Sequence, residues 1–342
     1  MTTPLSPLLL LRKFAEHRPT ADSLRPIVSN ISQEALKKFP QLQPYFDNHV
    51  QPYFESHWQS VAYPDTLPFN DKITRLNSQI APEVFLEKTD HNSVIVWLNV
   101  PEKRNAMNFS MMKKLIMVAK ALSGWRELRA VILAGQGKSF CTGLHLSDLN
   151  NKQNLHTVIW ELAKPKQSLF QKVCLVWQEL SVPVISVVQG HCLGAGLQLA
   201  LATDLRISTP DCQFAIMEAK WGLVPDMGLT QSGFGVLRAD VVKELAMTAR
   251  TFDGKQALDY GVVSYVSDDP MQHAHQLISE IAVRSPDAVS ASKHLINQMY
   301  AQSKVTLYQE KLWQIKMLMS KNRPVAVKKA KDSTVEFLNR QF

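Results

Sequence analysis

The chain has 342 residues, 45% of them hydrophobic and 20% charged, with a formal net charge of +8. That length supports a substantial core, as one large domain with an appendage or as two smaller domains, and a polyanionic ligand accounts for part of the positive charge. Nucleic acid is not expected, since there is no zinc-finger spacing or aromatic nucleic-acid signature; nor is a membrane span or secretory signal, because the leucines at 8–11 run straight into Arg12 and Lys13.

In chain order, residues 34–39 read as a short helix capped by Ser32, after which Pro40, Pro44, Pro52, Pro64 and Pro68 cut the chain into short pieces. Tyr45, Phe46, Tyr53, Phe54, Trp58, Tyr63 and Phe69 lie between or beside those prolines, and such ring density predicts packing against folded surface. This extension is expected either to wrap the core or a neighbouring subunit, or to narrow a ligand site. Beyond it the pattern alternates. Residues 93–100 are apolar and β-branched, as a strand requires, and 110–122 carry Leu115, Val118, Ala119 and Leu122 at helical spacing. Further strands are predicted at 129–134, 182–188, 205–208 and 213–216, with a helix beginning at Ala195. Alternating strands and helices imply a parallel sheet with helical crossovers. Helices are predicted at 273–283, 289–299 and 308–319, and a last one at 332–338.

Two glycine-marked turns follow predicted strands. The first is Gly135-Gln136-Gly137-Lys138-Ser139-Phe140-Cys141-Thr142-Gly143-Leu144-His145; the second runs from Gly190 through His191, Cys192, Leu193, Gly194 and Ala195 to Gly196. Small residues at a strand-to-helix junction let a ligand approach the backbone, and the N–H groups of a helix's first turn are free to meet developing negative charge. Two such turns from separate strands suffice to aim donors at one oxygen. Cys141, Cys174, Cys192 and Cys212 have no metal-knuckle spacing and are expected to be free, buried thiols; no metal site is expected.

With Phe140-Cys141-Thr142-Gly143, the Pro183-Val184-Ile185 strand before the second turn, the segment Gln213-Phe214-Ala215-Ile216-Met217-Glu218 continuing to Asp226, and the loop Asn99-Val100-Pro101-Glu102-Lys103-Arg104-Asn105-Ala106, the chain resembles the crotonase superfamily, also called the enoyl-CoA hydratase/isomerase family. The resemblance covers residues from about 83 to the C-terminus and implies an α/β fold: a crotonase-like ββα spiral core at 83–280 and a helical C-terminal oligomerisation region at 281–342, preceded by the proline- and aromatic-rich extension at 1–82. It further implies a homotrimer or hexamer acting on acyl-CoA thioesters, while the lack of a secretory signal or membrane span makes the cytoplasm the default location. Coenzyme A would enter as part of the substrate, with no permanently bound cofactor.

Site roles follow from the same resemblance. The backbone N–H groups of Thr142 and Ala195 are the expected donors to a thioester oxygen, where enolate charge develops. Glu218 is the expected acid-base carboxylate, and Asp226 a possible second one. Lys103, Arg104 and Ala106 are expected beside coenzyme A, and His145 and Gln198 as polar support. Gln198 stands where a two-glutamate hydratase carries its first glutamate, and an amide cannot exchange a proton near neutral pH. Double-bond isomerisation is therefore expected over water addition; hydration and non-enzymatic acyl-CoA binding remain the alternatives.

Overall fold

The computed structural model describes residues 67–145, 152–284 and 286–299, together with 315, 321–329, 331–332 and 334–335. Two units divide the chain, Met1–Thr66 and Leu67–Phe342, and all described residues belong to the second. The helix expected at 34–39 and the aromatic residues at 45–63 lie outside the described residues.

Helix Phe69–Ile80 turns Ile73, Leu76 and Ile80 inward, at spacings that share one helical face. Its buried Lys72 ammonium pairs with Glu127 at 2.5 Å, and Asn77 clamps the next strand by donating to Leu86 O at 2.8 Å and accepting from Leu86 N at 2.7 Å. Phe69 meets Trp125 edge-on, with ring centroids 5.6 Å apart. This helix shares its apolar cluster with the strands that follow, so the boundary expected after residue 82 falls inside the folded unit. Pro82 lies in the tight turn between this helix and the first strand.

The main sheet has six strands in the order β1 (Val84–Thr89), β2 (Ser93–Leu98), β3 (Val131–Gly135), β4 (Val184–Val188), β6 (Leu205–Ser208), β8 (Tyr265–Val266). A separate pair consists of β5 (His191–Leu193) and β7 (Gln213–Ala215). β1 runs antiparallel to β2, whereas every other pairing in the main sheet is parallel, as the strand-helix alternation required. Both faces of the sheet are covered. Val94, Val96, Leu98, Val131 and Leu133 join one apolar cluster; Ile95, Ile132, Ile185 and Ile207 join another, which packs on Ala274 and Ile278 of helix Pro270–Ala282. Burial on both sides is why these strands read as continuous apolar runs.

Helix Phe109–Ser123 crosses from β2 to β3 and buries Leu115, Val118, Ala119 and Leu122, the expected inner face. Asn108 caps it by accepting from Met111 N at 2.7 Å, while Glu83 accepts from Asn108 Nδ2 at 2.9 Å and Ser110 Oγ at 2.6 Å. Helices Lys152–Ala163 and Leu169–Leu175, between β3 and β4, were not anticipated. The predicted C-terminal helices appear as Pro270–Ala282 and Pro286–Met299. A further helix is Asn322–Lys329; the described residues at 332, 334 and 335 are not helical, and all of 308–319 except Ile315 lies outside the described residues.

Helix Pro286–Met299 is tied to the sheet by Lys293. Its Nζ lies 2.7 Å from Asp204 Oδ2 and donates to Val182 O at 2.9 Å, and the same Asp204 oxygen accepts from Val184 N at 2.7 Å. Burial pushes the Lys293 ammonium below its usual pKa, and Asp204 opposes that shift. Lys293→Met would leave Asp204 half-paired and is expected to lower stability by about 2–4 kcal/mol in urea denaturation.

Candidate active site

The site is organised by short β-rungs, parallel except for the last. Cys141 bridges Cys192 of β5, which pairs with Phe214 of β7, and Phe214 in turn bridges Phe252; the two phenylalanine rings stack at 5.6 Å. Because β5 and β7 run parallel in register, with Leu193 opposite Ala215, the turn leaving β5 and the segment leaving β7 emerge side by side. The first leads through Gly194 into helix Ala195–Leu201, and the second leads to Glu218, which opens the single-turn 3₁₀ helix Glu218–Trp221.

Gly194 has φ 51° and ψ −117°, a conformation that side chains disfavour, and its N–H donates to Ala215 O at 2.9 Å. A β-carbon there would stand 3.4 Å from Glu218 Oε1. Gly196 is needed for a different reason: a β-carbon on it would lie 2.4 Å from Cys141 O and 2.8 Å from Cys141 Cβ. The two glycine turns therefore pack backbone against backbone.

The expected donors are only partly vacant. Ala195 N–H, at the first position of its helix, has no acceptor among the described residues. Thr142 N–H, by contrast, donates to Arg104 O at 3.2 Å, and the Thr142 hydroxyl reaches the same carbonyl at 3.3 Å. Between Cys141 and His145, the amide left vacant among the described residues is that of Leu144. Leu144 forms a parallel bridge with Met107, in which Met107 N donates to Gly143 O and His145 N to Met107 O, each at 2.8 Å; the Leu144 N–H is left off that ladder and has no acceptor among the described residues. Gly143, at φ 102°, reverses the chain just before it, and a β-carbon on Gly143 would lie 3.7 Å from Ala195 N. That glycine was the available signal: a left-handed residue turns the amide that follows it away from the path set by the amide before it.

Gln198 and Glu218 meet directly. Gln198 is 1% exposed; its Nε2 donates to Glu218 Oε1 at 2.7 Å, and its Oε1 accepts from Met227 N at 2.9 Å. Glu218 Oε2 is buried and has no hydrogen-bond partner among the described residues. Burial pushes the Glu218 carboxyl above its ordinary value, while its own backbone N–H, Gln198 and the Met217 amide pull it back. Asp226 is also buried and precedes Met227, so Gln198 connects Glu218 to the backbone next to Asp226.

Around this centre, Lys103 and Arg104 are exposed on the loop after β2, and Ala106 is half-buried. That loop is locked by Asn105, which sequence reasoning did not single out. Asn105 is fully buried, accepts from Val100 N at 2.8 Å, and donates to Gln136 O at 2.9 Å and Ser139 O at 2.8 Å, joining the loop to the first glycine turn. His191 Nδ1 lies 3.0 Å from Ser139 Oγ, a contact that steadies both turns. His145 is half-buried and linked to Met107 through its backbone. All four cysteines are free and buried, and the described residues contain no cluster of His, Cys, Asp and Glu able to hold a metal. Nor is any described helix long and apolar enough to cross a membrane.

Residues 88–341 match the model of the enoyl-CoA hydratase/isomerase family, and the chain belongs to that family. The mitochondrial Delta(3,5)-Delta(2,4)-dienoyl-CoA isomerase of Mus musculus is 34% identical over 246 residues, covering 66% of this chain and 73% of that protein. Its Rattus norvegicus counterpart is 35% identical over 216 residues, 60% of this chain and 65% of the relative, just under two thirds of its length. Among solved structures, an enoyl-CoA hydratase/isomerase from Pseudoalteromonas atlantica T6c superposes with a TM-score of 0.66 at 20% identity, covering 75% of this chain and all of that one; this likeness shows the fold.

Two outcomes follow for stability. A raised carboxyl pKa means that the protonated form suits the fold, so its contribution is present below the ordinary value of 4.5 and is lost as pH rises through the higher folded value. Glu218→Gln is therefore expected to melt above the wild type near pH 8, with the gap closing toward pH 4. Gly196→Ala, which forces Cys141 away, is expected to cost about 1–3 kcal/mol in urea denaturation.

Proposed function

We propose that this protein is an acyl-CoA double-bond isomerase, in which the Leu144 and Ala195 amides polarise the thioester carbonyl and Glu218 moves the proton. The observation that carries the reading is Gln198: the side chain beside Glu218 is a locked amide and not a second carboxylate. Removing a proton from a carbon conjugated with the thioester breaks a C–H bond and sends its electron pair toward the carbonyl oxygen. Donors aimed at that oxygen stabilise the enolate where charge develops. Returning the proton to another conjugated carbon completes the shift and consumes no water, whereas hydration needs a group to activate water as well as one to protonate carbon.

Asp226 is the proposed second acid or base. Its burial and its place next to Met227 support that role, and so does the likeness to proteins named dienoyl-CoA isomerases. A dienoyl or enoyl thioester is the proposed substrate class, with Lys103, Arg104 and Ala106 beside its coenzyme A portion. Two exposed cations on that loop suit its phosphates. Assembly into trimers or pairs of trimers is part of the proposal, with native mass spectrometry as its check.

The test supplies matched 2-enoyl, 3-enoyl and dienoyl thioesters in isotopically labelled water and identifies the products. Double-bond migration is expected to outrun oxygen incorporation, and Glu218→Gln to reduce it at least ~10²-fold. A comparable loss in Asp226→Asn supports a two-carboxylate route, while little change supports Glu218 acting alone. Faster formation of a labelled 3-hydroxyacyl product would establish the hydratase reading instead, and thioester binding without turnover a non-enzymatic role.

A further inference from the structure

The Gln198 amide is not free to turn over. Met227 N–H can only donate, so the Gln198 atom 2.9 Å from it is the oxygen, and the NH₂ group is what meets Glu218 Oε1 at 2.7 Å. Reversal would set two donors against each other at Met227 and two acceptors against each other at an ionised Glu218. Either clash, in a side chain 1% exposed, would leave polar groups unsatisfied and away from water.

This fixed orientation makes the two oxygens of Glu218 unequal. Oε1 faces a donor that cannot take up a proton, so a proton carried by Glu218 resides on Oε2, the buried oxygen with no partner among the described residues. We infer that Gln198 is a positioning residue that makes Glu218 Oε2 the one proton-exchanging atom of the pair and blocks proton passage to position 198, holding the site to double-bond migration. This rests on the proposed role of Glu218. In the transfer a substrate C–H bond breaks, its electron pair enters the thioester enolate, and an O–H bond forms at Oε2. Return of that proton to a conjugated carbon restores the carboxylate, with no oxidant or water consumed.

The charged and titratable groups nearby are Lys220 on the same turn and Asp226 next to Met227. Helix Ala239–Thr248, packed on that turn, carries Asp240, Lys243 and Glu244, and helix Asn322–Lys329 carries Arg323 and Lys328. None of them is among the influences on the Glu218 carboxyl, which are burial, the Glu218 and Met217 amides, and Gln198. Among the described residues, Gln198 is thus the side chain whose removal should retune it.

The test follows kcat/KM for isomerisation with pH, using the full chain and two variants that have passed thermal unfolding. Gln198→Met deletes the donor, so the ionised form loses support; the acid limb is expected to move up by about one pH unit, with turnover about tenfold lower. Gln198→Glu keeps an acceptor for Met227 and replaces the donor with a carboxylate, which is expected to raise the limb as well and to increase labelled 3-hydroxyacyl product from isotopic water at least ~10-fold. Gln198→Met decides the matter if it folds, and Gln198→Glu does so if it does not. An acid limb left in place, with or without slower turnover, overturns the positioning role and reduces Gln198 to packing. Glu218→Gln distinguishes the underlying failure: if it retains wild-type isomerisation, the assignment of Glu218 itself is wrong.

Discussion

The site depends on the pairing of two three-residue strands, β5 and β7. Strands this short contribute few hydrogen bonds, yet their parallel register sets Gly194 beside Ala215 and brings Glu218 next to the second glycine turn. Their stability comes from the rungs on either side. Cys141 extends the ladder in one direction and Phe252 in the other, and the Phe214 and Phe252 rings bury the far edge. A parallel ladder delivers its following segments at the same end, which is why two turns distant in sequence meet there.

Once the turns are in contact, polar groups within them have few ways to be satisfied. Asn105 meets one donor and two carbonyls, and Thr142 turns its amide toward Arg104. Gln198 joins Glu218 to Met227. Among the described residues, the groups left over at this centre include the Leu144 and Ala195 amides, Gln189 Oε1 and Glu218 Oε2. Buried donors and acceptors are nearly always paired, so those left unpaired in a family of thioester enzymes are candidates for contact with substrate.

The ion pair at Lys293 gives this arrangement a rigid backing. Asp204 joins the start of β4 to helix Pro286–Met299, and Arg206 donates to Val262 O at 2.7 Å and to Thr203 O at 2.8 Å. Burial brings the Arg206 guanidinium down to about 10, still far above neutral pH, so it stays charged and holds the chain after helix Ala195–Leu201. Charges held this way resist small movements of the sheet, because separating them would expose unpaired groups in a dry interior.

Much of this was legible in the sequence. Residues 93–100, 129–134, 182–188 and 205–208 announced their strands through apolar, β-branched runs, and the glycine turns and Glu218 were visible through their order along the chain. β1 was not, because its burial is broken by exposed Glu87 and Lys88, and β5 and β8 are too short to show a period. The helix at 69–80 was hidden among prolines, although Ile73, Leu76 and Ile80 carry its buried face. What the tertiary structure decided was the state of individual polar atoms. Sequence order supplies an amide at both Thr142 and Leu144, and only the meeting with Arg104 and Met107 determines which one is spent. Sequence likewise supplies a glutamine at 198, but its direction comes from Met227, 29 residues further along, because a hydrogen bond depends on distance in space and not on separation in the chain.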